Sequence, residues 1–158
     1  MSADPRLILR EEELDLGLEL LLVAESAVWT EVDSALAAAA PGLGRSHWRA
    51  LFLIRRREGL GVLELAALSG LSKQSASKTL SELQRAGLAD RARGELDGRR
   101  RGASLTPAGA ALEETLSDRL RTRMAAAYRA VGAQGVQDAR RLLANLAGPR
   151  LSAGRREV

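Results

Sequence analysis

The sequence contains no cysteine and a single histidine, His47. Thiol catalysis, iron–sulfur clusters, sulfur-based redox sensing and multi-histidine metal cages are therefore excluded, and no metal or cofactor is expected. Aromatic residues make up 3% of the chain, too few for a β-sandwich core or an aromatic-lined ligand box, which leaves a helical class in the lead. No apolar run approaches the roughly 18 to 20 residues that span a bilayer, and Met1 to Glu13 lack the basic and apolar regions of a secretion signal. A soluble, cytoplasmic chain without membrane contact is the expectation. Catalysis is not expected either: no nucleophile stands near a base, and no glycine-rich phosphate loop follows a strand. Lysine is also rare, Lys73 and Lys78 against 22 arginines, a bias that reads as GC-rich coding rather than as selection for guanidinium chemistry.

What is present is enough for one domain. A chain of 158 residues with 46% apolar and 28% charged residues can bury a core without covalent staples. Its net charge of +4 is unevenly spread: residues 1–45 carry −6, residues 46–102 carry +6 and residues 103–158 carry +4. A basic middle behind an acidic first segment points the middle toward a polyanion.

From Glu11 to Ala40 the chain has no proline, and Leu14, Leu18, Leu21, Leu22, Trp29, Val32 and Leu36 recur at helical spacing. A second stripe, Leu16, Leu20, Val23 and Ala27, lies on another side of the same helix, so something else must cover it. Pro41-Gly42 stops this helix, and a second is expected over Arg45 to Arg57 with Trp48, Leu51 and Phe52 inward. A short helix over Gly61 to Leu68 and a three-residue turn follow. Ser72 then caps a helix to about Ala86 with Ala76, Leu80 and Leu83 inward and Gly87 beyond its end. Its other face holds Lys73, Gln74, Ser75, Ser77, Lys78 and Ser81, with no bulky apolar group. Two extended segments, Leu88 to Arg93 and Arg100 to Leu105, flank the turn-forming Asp97-Gly98 and read as a basic β-hairpin. Thr106-Pro107 starts a helix to about Val131, a last one covers about Gln134 to Leu146, and Gly148-Pro149 ends it.

Two short helices joined by a tight turn, the second with a small polar face, and then a basic hairpin, have the order of a winged helix-turn-helix. A helix about 10–12 Å across fits the DNA major groove, where lysine donates to guanine and glutamine pairs with adenine. Alternating Arg99 and Arg101 can reach phosphate or the minor groove from the hairpin. Leu65-Ala66, Leu71 to Lys78, Leu83, Gly87-Leu88, Arg91, Asp97 to Arg101 and Leu105 to Gly109 together resemble the MarR-type transcriptional regulators, the Asp-x-Arg wing with its following Thr-x-x-Gly being the most specific part.

That resemblance implies a homodimer on a palindromic operator in double-stranded DNA, usually a repressor, released when a small aromatic or lipophilic effector enters a cleft beside the dimer helices. It divides a single 1–158 domain into an N-terminal dimerisation helix (11–40), a winged helix-turn-helix (43–105) and C-terminal dimerisation helices (106–147). The DNA-binding set is then Ser72, Lys73, Gln74, Ser75, Ser77, Lys78, Arg91, Asp97, Arg99 and Arg101, with Asp97 clasping the wing tip. The effector set is Trp29, His47 and Trp48, in a cleft bounded by the start of the Thr106 helix. Where the family opens its second helix with threonine and a glutamine three residues on, this chain has Gly44 and His47. Competing readings are an architectural DNA-binding protein that senses nothing and a winged helix kept as a protein-interaction module.

Overall fold

Glu11, Glu12 and Glu13 place negative charge at the positive end of the first helix, α1 (Glu11–Ala39), in a computed structural model that describes residues 9–57, 59–91 and 102–152. Only the second half of α1 meets the core, through the buried Val32 and Leu36. The leucines of its first half, together with Val23, are all exposed. α2 (Arg45–Arg56) buries Trp48, Ala50, Leu51 and Ile54 on one face. α3 (Val62–Ser69) contributes Leu65 and ends at Gly70, whose φ of 70° is the left-handed geometry that turns the chain tightly into the next helix. α4 (Lys73–Arg85) begins at Ser72, whose hydroxyl accepts from Ser75 N–H at 3.1 Å.

Burial of Ala76, Leu80 and Leu83 matches the expected inner face of α4, and Thr79 joins them. Leu51, Ile54, Leu65, Leu83 and Leu116 are almost fully buried in one core that carries the helix-turn-helix, each such side chain contributing about 1.5–3 kcal/mol. β1 (Ala89–Arg91) pairs antiparallel with β2 (Ala103–Leu105), Ala89 opposite Leu105, and Leu60 bridges to Ala103 on the other side. The base of the hairpin is thus tied to the chain entering α3.

Thr106 caps α5 (Pro107–Ala147) by accepting from Gly109 N–H at 3.0 Å, and its hydroxyl donates to Gly87 O at 2.7 Å, so one side chain joins the end of the α4 turn to the start of α5. The expected break between Val131 and Gln134 falls at Gly132, where φ 71° and ψ 179° interrupt the helical path as only glycine does easily. Beyond it the chain continues to Ala147, and a short α6 (Pro149–Ser152) follows the expected stop at Gly148-Pro149. α5 packs against α1 and α2, and α6 lies beside α3.

The face that α5 buries is more polar than its leucine spacing suggests. Glu113 and Ser117 are fully buried along with Leu116, whereas Met124, which continues the i, i+4 row of Leu112, Leu116 and Leu120, is exposed. The reason is α2, which sets Arg55 and Arg56 against this side of α5. Glu113 lies 3.2 Å from each of them and 3.1 Å from Arg121. A buried carboxylate is tolerated there because three guanidinium groups surround it.

Candidate nucleic-acid interface and adjoining cleft

Because the inner face of α4 is fixed in the core, its outer face is fixed too. Ser72, Lys73, Gln74, Ser75, Ser77 and Lys78 are all exposed on it or at its cap. Among the described residues the side chains of Lys73, Gln74 and Ser77 make no hydrogen bond or ion pair, and Lys78 stands 4.0 Å from Glu82 with 75% of its side chain exposed. Unsatisfied donors and a cationic tip on a rigid, capped helix are what base-edge recognition needs. Of the hairpin candidates, Arg91 is the last residue of β1, while Asp97, Arg99 and Arg101 lie outside the described residues, as does the Asp97-Gly98 turn.

A second feature lies between α1 and α2, a cleft of about 340 Å³. α1 lines it with Leu21, Ala24, Glu25, Val28 and Trp29, and α2 with Trp48 and Arg49. The start of α5 supplies no lining residue, so the expected position holds for the two tryptophans and not for the Thr106 end. The indoles meet edge to face at 5.7 Å. Trp29 Nε1–H donates to Glu25 at 3.1 Å, and Trp48 Nε1–H donates to Ser117 Oγ at 3.1 Å, which in turn donates to Glu113 at 2.8 Å. Arg45 and Arg49 stand 5.0 and 4.5 Å from the centre of the Trp29 ring.

His47 is not a lining residue. Its Nδ1 accepts from Gly44 N–H at 2.9 Å, leaving Nε2 to meet Glu82 of α4 at 2.9 Å. The imidazole thus does the work of a third-position acceptor at the start of α2 and also ties α2 to α4, so the departure from the Thr and Gln pattern keeps the contact to the cap N–H and loses the one a threonine side chain would make. Arg45 is held by Asp33 through two hydrogen bonds of 2.9 and 2.5 Å. The Arg45 guanidinium lowers the Asp33 carboxyl below its usual range, and Asp33 in turn raises Arg45.

Sequence reasoning missed Arg49, Glu25 and the Glu113–Ser117 pair. One signal was available: Glu113 and Ser117 are i and i+4 on α5, flanking Leu116, and a carboxylate at that phase needs a cation partner from elsewhere.

A tight helical turn, a capped helix with an open polar face and a two-stranded wing define a winged helix-turn-helix DNA-binding protein. The MarR family profile matches residues 42–100, which include α2, α3, α4 and β1. The chain is 38% identical over 143 residues to the HTH-type transcriptional regulator PetP of Rhodobacter capsulatus, covering 90% of this chain and 85% of that one. The protein belongs to the MarR family of DNA-binding transcriptional regulators. Among solved structures it resembles NadR in complex with 4-hydroxyphenylacetate, at 26% identity and a TM-score of 0.70, covering 94% of this chain and 99% of that one. It also resembles CouR from Rhodococcus jostii bound to p-coumaroyl-CoA, at 25% identity and a TM-score of 0.71, covering 85% and 93%. No helix among the described residues is long and apolar enough to cross a membrane.

Proposed function

We propose that the protein is a homodimeric, ligand-responsive repressor that binds a palindromic operator in the cytoplasm, with Lys73, Gln74, Ser77 and Lys78 reading base edges and Ser72 and Ser75 fixing the start of the reading helix. The carrying observation is the outer face of α4, where among the described residues the side chains of Lys73, Gln74 and Ser77 have no protein partner while the inner face is anchored in the core. Arg91, Arg99 and Arg101 supply the wing contacts to phosphate or minor groove, and Asp97 orders the wing tip.

The dimer reading rests on apolar surface. Leu16, Leu18, Leu20 and Leu22 on α1 and Leu142 and Leu146 on the last turns of α5 are each more than half exposed. Helices this apolar need a cover, and obligate interfaces have the character of a core cut in half. The effector reading rests on the α1–α2 cleft with Trp29 and Trp48. It gains support from two similar proteins, one bound to 4-hydroxyphenylacetate and the other to p-coumaroyl-CoA, both phenolic ligands. It also separates this reading from an architectural protein that senses nothing.

Footprinting on the DNA flanking its own gene tests the proposal. Two protected half-sites centred about one helical turn, about 10–10.5 base pairs, or a multiple of it apart are expected. Uniform protection would favour the architectural reading, and none at any salt concentration the protein-interaction reading.

A further inference from the structure

Of the two arginines stacked against Trp29, Arg45 is already neutralised by Asp33, and Arg49 is not: among the described residues it pairs with no carboxylate. Arg49 instead faces two ways. It lines the cleft beside Trp29, and its Nη1–H donates to Ser69 O at 2.8 Å. Ser69 is the last residue of α3, buried, and its carbonyl is one of those a helix leaves unpaired at its C-terminal end. Directly after it come Gly70, in the left-handed conformation, then Leu71 and the Ser72 cap of the reading helix.

We propose that Arg49 is the residue through which the cleft controls the DNA-reading helix: one guanidinium is shared between the cleft and the turn from α3 to α4, so an anion in the cleft and the ordered turn compete for it. The inference rests on the reading of the cleft as an effector site and adds how occupancy is transmitted. A carboxylate or phosphate forms charge-assisted, bidentate bonds with a guanidinium that outcompete a single bond to a neutral carbonyl. When Arg49 swings to the anion, the buried Ser69 carbonyl loses its donor and the Gly70 turn loses its tie to α2. The competent orientation of α4 is then one state among several, and DNA affinity falls. A neutral occupant of the same shape leaves the Ser69 bond in place. The occupant class this favours is a small anion with an apolar body, since the remaining lining is mostly hydrocarbon and indole.

The test does not need the natural effector. In the full-length protein, Ala24→Glu plants a carboxylate among the cleft-lining residues and Ala24→Gln its neutral counterpart. Hydrogen exchange of the turn amides, residues 69–72, and DNA affinity are then read for both, with Arg49 intact and with Arg49→Gln. With Arg49 present, Ala24→Glu is expected to exchange faster at the turn and to bind DNA about tenfold more weakly than Ala24→Gln. In the Arg49→Gln background that difference should shrink to less than about twofold, the signature of a pair that acts through one residue. Equal turn exchange in the two Ala24 variants overturns the proposal whatever the folding of Arg49→Gln, and so does a difference that persists without Arg49.

Titrating wild type with 4-hydroxyphenylacetate and with its methyl ester, followed by tryptophan fluorescence, separates the two layers. Binding of both with release of DNA by the acid alone is expected. Release by both equally leaves an effector site and sinks the Arg49 relay. No quenching by either, with the Ala24 difference intact, sinks the effector reading and leaves the relay standing.

Discussion

α2 and α4 are both short, basic and amphipathic, yet they do opposite things with their charge. Every arginine of α2 has a protein partner, and so does His47: Arg45 has Asp33, Arg49 has Ser69, Arg55 and Arg56 share Glu113, and the His47 ring meets Glu82. Among the described residues the lysines of α4 have only the 4.0 Å approach of Lys78 to Glu82. Basic content alone therefore does not mark a DNA-binding helix. What marks it is cationic and amide groups that the fold has left unsatisfied on a face it holds rigid, because only such groups gain on meeting a polyanion. Changes to α2 should then register mainly in folding, and changes to α4 mainly in DNA binding, with Arg49 the one α2 residue placed to register in both.

The largest effect is expected at Glu113. Among the described residues, replacing it with Ala leaves Arg56 without an acidic partner, Arg55 and Arg121 with Glu114 alone, and Ser117 without its acceptor. Loss of one partner from a buried pair costs about 3–5 kcal/mol when the charge left behind is buried, and because the remaining arginines are a third or more exposed and two keep Glu114, a lower value, about 2–3 kcal/mol, is expected. Chemical denaturation reads it. A Glu113→Ala protein as stable as wild type would break the claim that the α2 charges are structural.

Next come the α4 side chains. Gln74→Ala should leave unfolding unchanged and cost about 1–3 kcal/mol of discrimination at one base position per half-site. Lys78→Ala should likewise leave unfolding unchanged and relax discrimination by about 1–3 kcal/mol at the base position that its ammonium reads. A change in unfolding midpoint as large as the change in binding would show that this face is not free.

The difference between the two helices explains what was legible from sequence. α4 was readable because its signals are local: Ser72 caps it, Ala76, Leu80 and Leu83 set its buried face at i, i+4 and i+7, and the polar residues of the opposite face then point out, Thr79 at the border being the one that is buried. The same holds for Thr106 at the start of α5 and for Gly132 at its break. α2 was readable as a helix and not as a network, because its partners lie 12 to 69 residues away in sequence, from Asp33 to Ser117. The cleft has the same character. Trp29 and Trp48 could be nominated as scarce aromatics on converging elements, but which arginine would lie between them and Ser69 depends on packing that no spacing encodes. His47 was nominated as a ligand contact for its rarity, and its two ring nitrogens turned out to be occupied by Gly44 and Glu82.

His47 offers an intermediate effect. His47→Ala removes the acceptor at the start of α2 and the link to α4, and a lost helix cap costs about 0.5–2 kcal/mol. His47→Gln should recover part of it, since an amide oxygen can accept from Gly44 N–H. Equal stability of the Ala and Gln variants by thermal unfolding would show that the ring's hydrogen bonds contribute nothing and that its packing alone matters.

The smallest effect belongs to the Asp33–Arg45 pair, and its pH dependence gives the sign. Both groups are exposed, so solvent screening keeps the contribution small. The guanidinium lowers the carboxyl of Asp33 in the folded protein, so the pair's stabilisation is fully present above the ordinary carboxylate titration and is lost as pH falls through the lower, folded value. The raised titration of Arg45 lies far above any working pH and does not enter. Asp33→Asn should therefore unfold slightly more easily than wild type at pH 7, and the gap should close in acid as wild-type Asp33 takes up its proton. The substitution also frees Arg45, which stacks on Trp29 beside the cleft without lining it, and so gives α2 a second guanidinium that a cleft anion can draw on. If partnering is what separates α2 from α4, an anionic cleft probe should bind Asp33→Asn more tightly than wild type while a neutral one binds both alike. An unchanged preference, measured by tryptophan fluorescence at equal ionic strength, would mean that the Asp33 carboxylate does not hold Arg45 back from the cleft.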